Sequence, residues 1–501
     1  MNTNSLGKFQ GLFKQTIIYG IATVFPRIIS FILVRFHTDK SIISETSEYG
    51  TFSLVFTYII VFNVILSYGM ETSFFRFYNN EKNKKDVLNT AAISIVISSV
   101  LFASLFTTFQ TNISEFTGIS SGYLSIIVWI LVADALTVIP FAYLRLKGSV
   151  LQYSGIKMIN VLVYFLLNVF LLIYLEDLSN DYKLLEKIYV DNYEVTYIFI
   201  ANLIASVVSL LLLAPFYFKI NFKANINLLK RMLAYGFPIL ISGLAFSINE
   251  TFDKILLKFL LPSNIAESQI GIYSACYKLA IFMTLFSTAY KLAIEPFFFS
   301  EANNKNSKKS YALVLETFVI IGSSMLVLVV VALDILKEIF ISDSEYWKAM
   351  YIVPIILIAN LCLGIYQNLS VWYKITDLTK FAAYISCIGA FVTLILNIIL
   401  IPFFHNHKDY DGFFGSAIAT LAAYFIMALL SYLIGKKYYP IPYNARKILF
   451  YLILSISLSS TYFYIYEADN LVIGIVCILA MNLVILLNEK RRIIALLKLI
   501  R

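Results

Sequence analysis

The stretch Tyr49–Tyr78, YGTFSLVFTYIIVFNVILSYGMETSFFRFY, holds no Asp, Glu, Lys, Arg or His before Glu71. As a helix rising 1.5 Å per residue, such a run crosses the ~30 Å hydrocarbon core of a bilayer. Comparable apolar runs lie on both sides of it. They occupy 13–36, 87–109, 123–147, 153–175, 196–218, 231–260, 271–299, 311–332, 350–373, 379–401, 413–434, 446–465 and 470–487. With 49–75 they make fourteen candidate spans. Spanning strands would be ~10 residues of alternating polarity, a pattern these runs lack. The expected fold is therefore an all-α integral membrane protein.

Composition agrees with this reading. The 501 residues are 60% hydrophobic and 14% charged, against about 25% charged in soluble domains. The polar start Met1–Gly11, the length of the first run and the lack of a small-residue cleavage site make 13–36 a retained helix rather than a signal. Connections are short, so no segment is expected to fold as a soluble catalytic domain. Cys276, Cys362, Cys387 and Cys477 all fall in apolar runs and have no CxxC spacing, which reads as small hydrophobes rather than disulfides or metal ligands. The pair His405 and His407 lacks a third ligand in view, so no metal and no cofactor is expected.

Charge orients the spans. With the N-terminus inside, 27 of the 39 Lys and Arg fall in cytoplasmic segments and 6 in outer ones. Lys and Arg beside spans stay on the cytoplasmic side, and the pattern never inverts along the chain. Both termini are expected in the cytoplasm. The net charge of +9 then reflects orientation and attraction to anionic lipid, with no nucleic-acid partner.

The first six spans resemble the next six. Lys14-Gln-Thr-Ile-Ile-Tyr19-Gly20 matches Lys230-Arg-Met-Leu-Ala-Tyr235-Gly236. Glu48-Tyr-Gly50 opens the second span as Gln269-Ile-Gly271 opens the eighth. Glu71-Thr-Ser-Phe-Phe near the end of the second corresponds to Glu295-Pro-Phe-Phe-Phe in the eighth. This implies two lobes, 1–222 and 223–437, plus two extra helices and a tail at 438–501. Six spans per repeat give both lobes one orientation, an arrangement suited to alternating access. Pro26 and Pro238, at similar places in the first and seventh spans, are the candidate hinges.

Charges within spans mark the candidate path, because an ionised group at the bilayer centre costs at least ~2.5–3.5 kcal/mol. The cations are Arg27, Arg35, Lys254, Lys258, Lys278 and Lys291; the acids are Glu71, Asp134, Glu250, Asp253, Glu295 and Glu316. All but Asp134 and Glu316 lie on the first, second, seventh and eighth spans. Arg27, Lys254, Lys278 and Lys291 are the candidate substrate-binding cations. Glu71, Asp134, Asp253 and Glu295 are the candidate ion-coupling or cavity acids. Glu250 with Lys254 and Lys291 with Glu295 have i,i+4 spacing. The competing readings are snorkelling at the interface for Arg35, Lys258, Glu71 and Glu295, and a hydrogen-bonded packing role for Asp134. A mildly cationic cavity would suit an anionic ligand such as a phosphate or acidic sugar.

With Lys14–Phe36 and Tyr49–Tyr78 on the page, the chain resembles the multidrug/oligosaccharidyl-lipid/polysaccharide (MOP) exporter superfamily, and within it the polysaccharide-biosynthesis branch of Wzx-type O-antigen flippases. The Tyr68-Gly-Met-Glu71 to Arg76 stretch is similar to the Gly-rich, Arg-containing end of the second helix in those proteins. The resemblance implies a flippase in the bacterial cytoplasmic membrane that serves surface polysaccharide and lipopolysaccharide O-antigen assembly. Its implied cargo is an undecaprenyl-pyrophosphate-linked oligosaccharide. Membrane lipids, a coupling H+ or Na+ and other polysaccharide assembly proteins are the further implied partners. Two alternatives stay open. An ion-coupled multidrug antiporter of the same fold would favour twelve spans and an acidic cavity. A membrane polymerase or acyltransferase would favour a large outer loop or a His-Asp pair at depth.

Overall fold

The computed structural model describes residues 24–221, 223–301, 306–376, 378–407, 410–466 and 470–500, except the side chains at 293, 295, 296, 299–301 and 491–500. These residues form helices and no strand. We label the helices α1 (24–37), α2 (Thr46–Asn80), α3 (Lys84–Thr108), α4 (Ser121–Leu146), α5 (Val150–Asp181), α6 (Glu194–Tyr217) and α7 (Ile226–Leu260). The bent pair Ala266–Leu279 and Ile281–Leu292 is α8. Then come α9 (Ser307–Val331), α10 (Ser344–Ile375), α11 (Lys380–His405), α12 (Gly412–Tyr438), α13 (Ala445–Ile465) and α14 (Leu471–Lys490). Twelve are long and apolar enough to span a membrane, or thirteen with α8 taken as one span. The expected first span is described only from Val24, so its residues 13–23 fall outside the described residues.

Contacts divide the chain into two compact units, Met1–Gly271 and Ile272–Arg501. The boundary between these units lies in α8, and within the first unit α7 packs on α2 and α3. In the first unit, rings from α2, α4 and α6 meet: Phe52 and Phe56 pair with Phe199 at 6.0 and 6.1 Å, and Tyr123 with Phe199 at 5.4 Å. Pro140 lacks the N–H that would have bonded the Leu136 carbonyl, and the Tyr217 hydroxyl of α6 donates to that carbonyl instead. His37 closes α1 as a buried residue with Nε2 3.1 Å from Asn168 Oδ1 of α5.

In the second unit, α11 and α12 approach closely enough that a Cβ on Gly415 would lie 2.6 Å from the Leu400 carbonyl. The buried Ser416 hydroxyl donates to Asn397 Oδ1 at 2.8 Å across the same seam. The two extra helices are fastened to α9 by charge. Lys447 of α13 lies 2.5 Å from Glu489 of α14 and 3.5 Å from Glu316 of α9. Glu316, which stood apart from the other charged spans, thus has a packing role. Cys387 is exposed on α11, contrary to the expected burial, whereas Cys276, Cys362 and Cys477 are buried; all four are free.

The helix breaks lie away from Pro26 and Pro238. Pro238 sits inside a continuous 35-residue helix. The breaks fall at Tyr68–Gly69 in α2, both with positive φ (31° and 70°), and at Ala280 in α8, where the two halves bend by 45°. Asn360 of α10 donates to the Ala280 carbonyl at 3.3 Å, satisfying a group that the break exposes.

Candidate functional site

In the first unit, residues of the second repeat close both ends of α2. At its N-terminal end Gly50 meets Gly271. A Cβ on either glycine would fall within van der Waals distance of the other's backbone nitrogen, 2.9 and 3.0 Å away, so only glycines permit this crossing. Beside it the Thr46 and Ser268 hydroxyls are 2.6 Å apart, and Lys258 pairs with Glu267.

At the other end, the αL turn at Tyr68–Gly69 rests on Gly236 of α7, where a Cβ would lie 2.8 Å from the Tyr68 carbonyl. The Ser73 hydroxyl donates to the Met232 carbonyl at 2.9 Å. Arg76 covers the Tyr235 ring at 4.2 Å, and Arg231 pairs with Glu81 at 2.6 Å. The sequence matches Gly50–Gly271 and Tyr235–Gly236 are therefore the contact points themselves.

Arg27 and Lys254 both lie within electrostatic reach of Glu250. Lys254 Nζ is also 3.4 Å from Asp253 Oδ1, with both side chains largely buried. The structure thus brings together two of the expected cations, one expected acid and Glu250. Two carboxylates oppose two cations here, so any excess positive charge must come from beyond this group. Lys278 and Lys291 belong to the second unit, on opposite sides of the α8 bend; Lys278 is partly buried and Lys291 exposed. The Glu295 side chain lies outside the described residues, and so does its expected pairing with Lys291.

Glu71 pairs with Arg145 of α4 beside the α2 break, and Arg145 stacks on Phe75 at 4.8 Å. Asp134 is half-buried among three helices. It accepts from Ser206 at 2.7 Å and from Asn63 at 3.1 Å, and Lys157 of α5 acts on it electrostatically. Lys157 is absent from the in-span cations named from the sequence, although the run 153–175 contains it. It stands two turns inside α5, which begins at Val150, with its ammonium 4.3 Å from the Phe141 ring. Arg145 and Glu267 were likewise missed as partners, because both lie at span ends where a cation or acid reads as solvated. Among the described residues no group of three or more His, Cys, Asp or Glu could hold a metal ion.

Known proteins sharpen this picture. The family model described as "Polysaccharide biosynthesis protein" matches residues 12–300. A structure of the lipid II flippase MurJ in an inward closed conformation superposes with TM-score 0.72 at 16% identity, covering 95% of this chain and 100% of that one. An inward-facing multidrug resistance MATE family transporter of the MOP superfamily gives TM-score 0.62 at 13% identity, covering 83% and 93%. An outward-facing MATE structure gives 0.56 at 13% identity, covering 85% and 94%. At these identities the likeness is one of fold, that of the MOP superfamily. The search of curated proteins returned no significant match.

Proposed function

The chain belongs to the polysaccharide biosynthesis protein family, and on that footing we propose that it translocates a lipid-linked oligosaccharide across the bacterial cytoplasmic membrane by alternating access. The family supports the substrate class. The observation that carries the transport reading is the double closure of α2, by Gly50 with Gly271 at one end and by Gly69 with Gly236 at the other. A substrate path along α2 would open when one closure parts and the other holds. Glycine crossings suit this role, since they bring backbones close with few interlocking side chains to disengage.

In this reading Arg27 and Lys254 bind the pyrophosphate, with Arg27 offering a bidentate guanidinium. Lys278 and Lys291 are proposed contacts on the second unit. Asp253 and Glu71 are the proposed coupling acids. Each is paired to a cation, so a proton or Na+ taken up there would release Lys254 or Arg145. Asp134, already held by Asn63, Ser206 and Lys157, is assigned to packing. The lobes 1–222 and 223–437 are the proposed moving repeats, with both termini cytoplasmic.

The test is surface polysaccharide in a deletion strain expressing Arg27→Ala at wild-type protein levels. Loss of the polysaccharide is expected, with partial recovery in Arg27→Lys. Unaltered polysaccharide in Arg27→Ala would remove Arg27 from the binding site.

A further inference from the structure

A pocket of ≈ 380 Å³ opens between the C-terminal ends of α4 and α6 and the start of α5. It is within the size range of small-ligand sites, about 300–1,000 Å³. None of its lining residues belongs to α1, α2, α7 or α8, so it is separate from the path described above. Its polar wall holds Lys147, Lys219, Ser149 and Gln152, and its apolar wall includes Leu212 and Leu213. The lining contains no acid. The nearby carboxylate of Glu71 is already engaged by Arg145. No ion pair among the described residues includes Lys147 or Lys219, and both are exposed.

The rim outside the pocket is apolar and open: Leu151 is 75% exposed, Leu211 65% and Phe218 87%. On a membrane protein such a surface faces acyl chains. A two-lysine wall that passes directly into a lipid-facing rim is complementary to one kind of molecule, with an anion at its head and hydrocarbon behind. The two prolines in the lining, Pro140 and Pro215, stiffen the helix ends that frame the opening.

We propose that this pocket is a binding site for the headgroup of an anionic glycerophospholipid of the leaflet that faces these helix ends. The phosphodiester sits between Lys147 and Lys219, Ser149 and Gln152 hydrogen-bond the headgroup, and the acyl chains lie along Leu211 and Phe218. Basic pockets between transmembrane helices select anionic lipids in this way. The inference is independent of what the protein transports.

The test is native mass spectrometry of the full chain in detergent, titrated with dioctanoyl phosphatidylglycerol or dioctanoyl phosphatidylcholine. Phosphatidylglycerol should bind in preference to phosphatidylcholine. A lysine near an anionic headgroup contributes about 1 kcal/mol, about fivefold in affinity. Lys147→Gln with Lys219→Gln should therefore weaken phosphatidylglycerol about 25-fold and leave phosphatidylcholine unchanged. Lys147→Arg with Lys219→Arg should retain the preference, as should the control Lys436→Gln with Lys437→Gln on α12. Equal binding of the two lipids, or an unchanged preference in the double Gln variant, would overturn the proposal. So would displacement of the lipid by millimolar inorganic phosphate alone, which would mark a free-phosphate site, or by undecaprenyl phosphate at equal concentration, which would mark a carrier-lipid site.

Discussion

Gly50 of α2 and Gly271 of α8 occupy equivalent positions in the two repeats and press directly against each other. A Cβ on Gly271 would collide with the Thr46 carbonyl, and one on Gly50 with the Glu267 carbonyl. Both obstacles are backbone, which cannot swing aside. Gly50→Ala and Gly271→Ala should each destabilise the protein by about 1–3 kcal/mol, the usual cost of overpacking. Because they disturb one contact, the double variant should cost clearly less than the two singles combined. Chemical denaturation in micelles measures this, and full additivity would mean that the two sites are independent.

The same end of α2 can be locked. Thr46→Cys with Ser268→Cys, in a background lacking the four native cysteines, places two thiols where the hydroxyls are 2.6 Å apart. Oxidation should cross-link them and stop polysaccharide export, and reductant should restore it. A cross-linked protein that exports at the wild-type rate would mean this closure never parts.

Gly69 adopts φ 70° against the Gly236 backbone. Gly69→Ala meets both a left-handed backbone, at about 1–2 kcal/mol, and that steric contact. It should destabilise more than Gly148→Ala, which has a similar φ of 67° but open space around it. Comparable losses of stability in the two variants would place the whole effect in the backbone conformation.

Lys447 serves two carboxylates that are themselves nearly buried, with side chains of Glu316 and Glu489 9% and 7% exposed. Removing one partner of a buried pair costs about 3–5 kcal/mol, because a charge is left without compensation. Lys447→Met should therefore loosen α13 and α14 and expose them to limited proteolysis. Adding Glu316→Gln and Glu489→Gln should restore much of the lost resistance. A triple variant as labile as Lys447→Met alone would point to packing rather than charge.

Much of this architecture was legible in the residues. Long apolar runs specify helices regardless of their neighbours, because in hydrocarbon each backbone group must be satisfied within its own segment. Gly50, Gly236 and Gly271 stand out in the sequence matches, and each is small where another helix touches it. The break in α2 was harder to see. Tyr68-Gly69 looks like any apolar dipeptide, whereas Pro238, the stronger breaker on paper, sits in a continuous helix, as a bundle permits. Charged pairs were legible only along one helix. Glu250 with Lys254 follows from spacing, but Glu71 with Arg145, Lys258 with Glu267 and Lys447 with Glu316 join residues on different helices, and nothing in linear order announces them. Lys157 lies inside the 153–175 run as it lies inside α5, but it stands close to the cluster Arg145 and Lys147, and a cation near such a cluster reads as cytoplasmic.

The central claim is most directly tested by translocation in proteoliposomes. The full chain is reconstituted with a lipid-pyrophosphate-linked oligosaccharide, and the fraction of glycan open to an external glycosidase is followed over time. The account predicts that the protected glycan becomes accessible with wild-type protein and that Arg27→Ala slows this strongly. Glycan that stays protected with folded wild-type protein under an imposed H+ or Na+ gradient would contradict it.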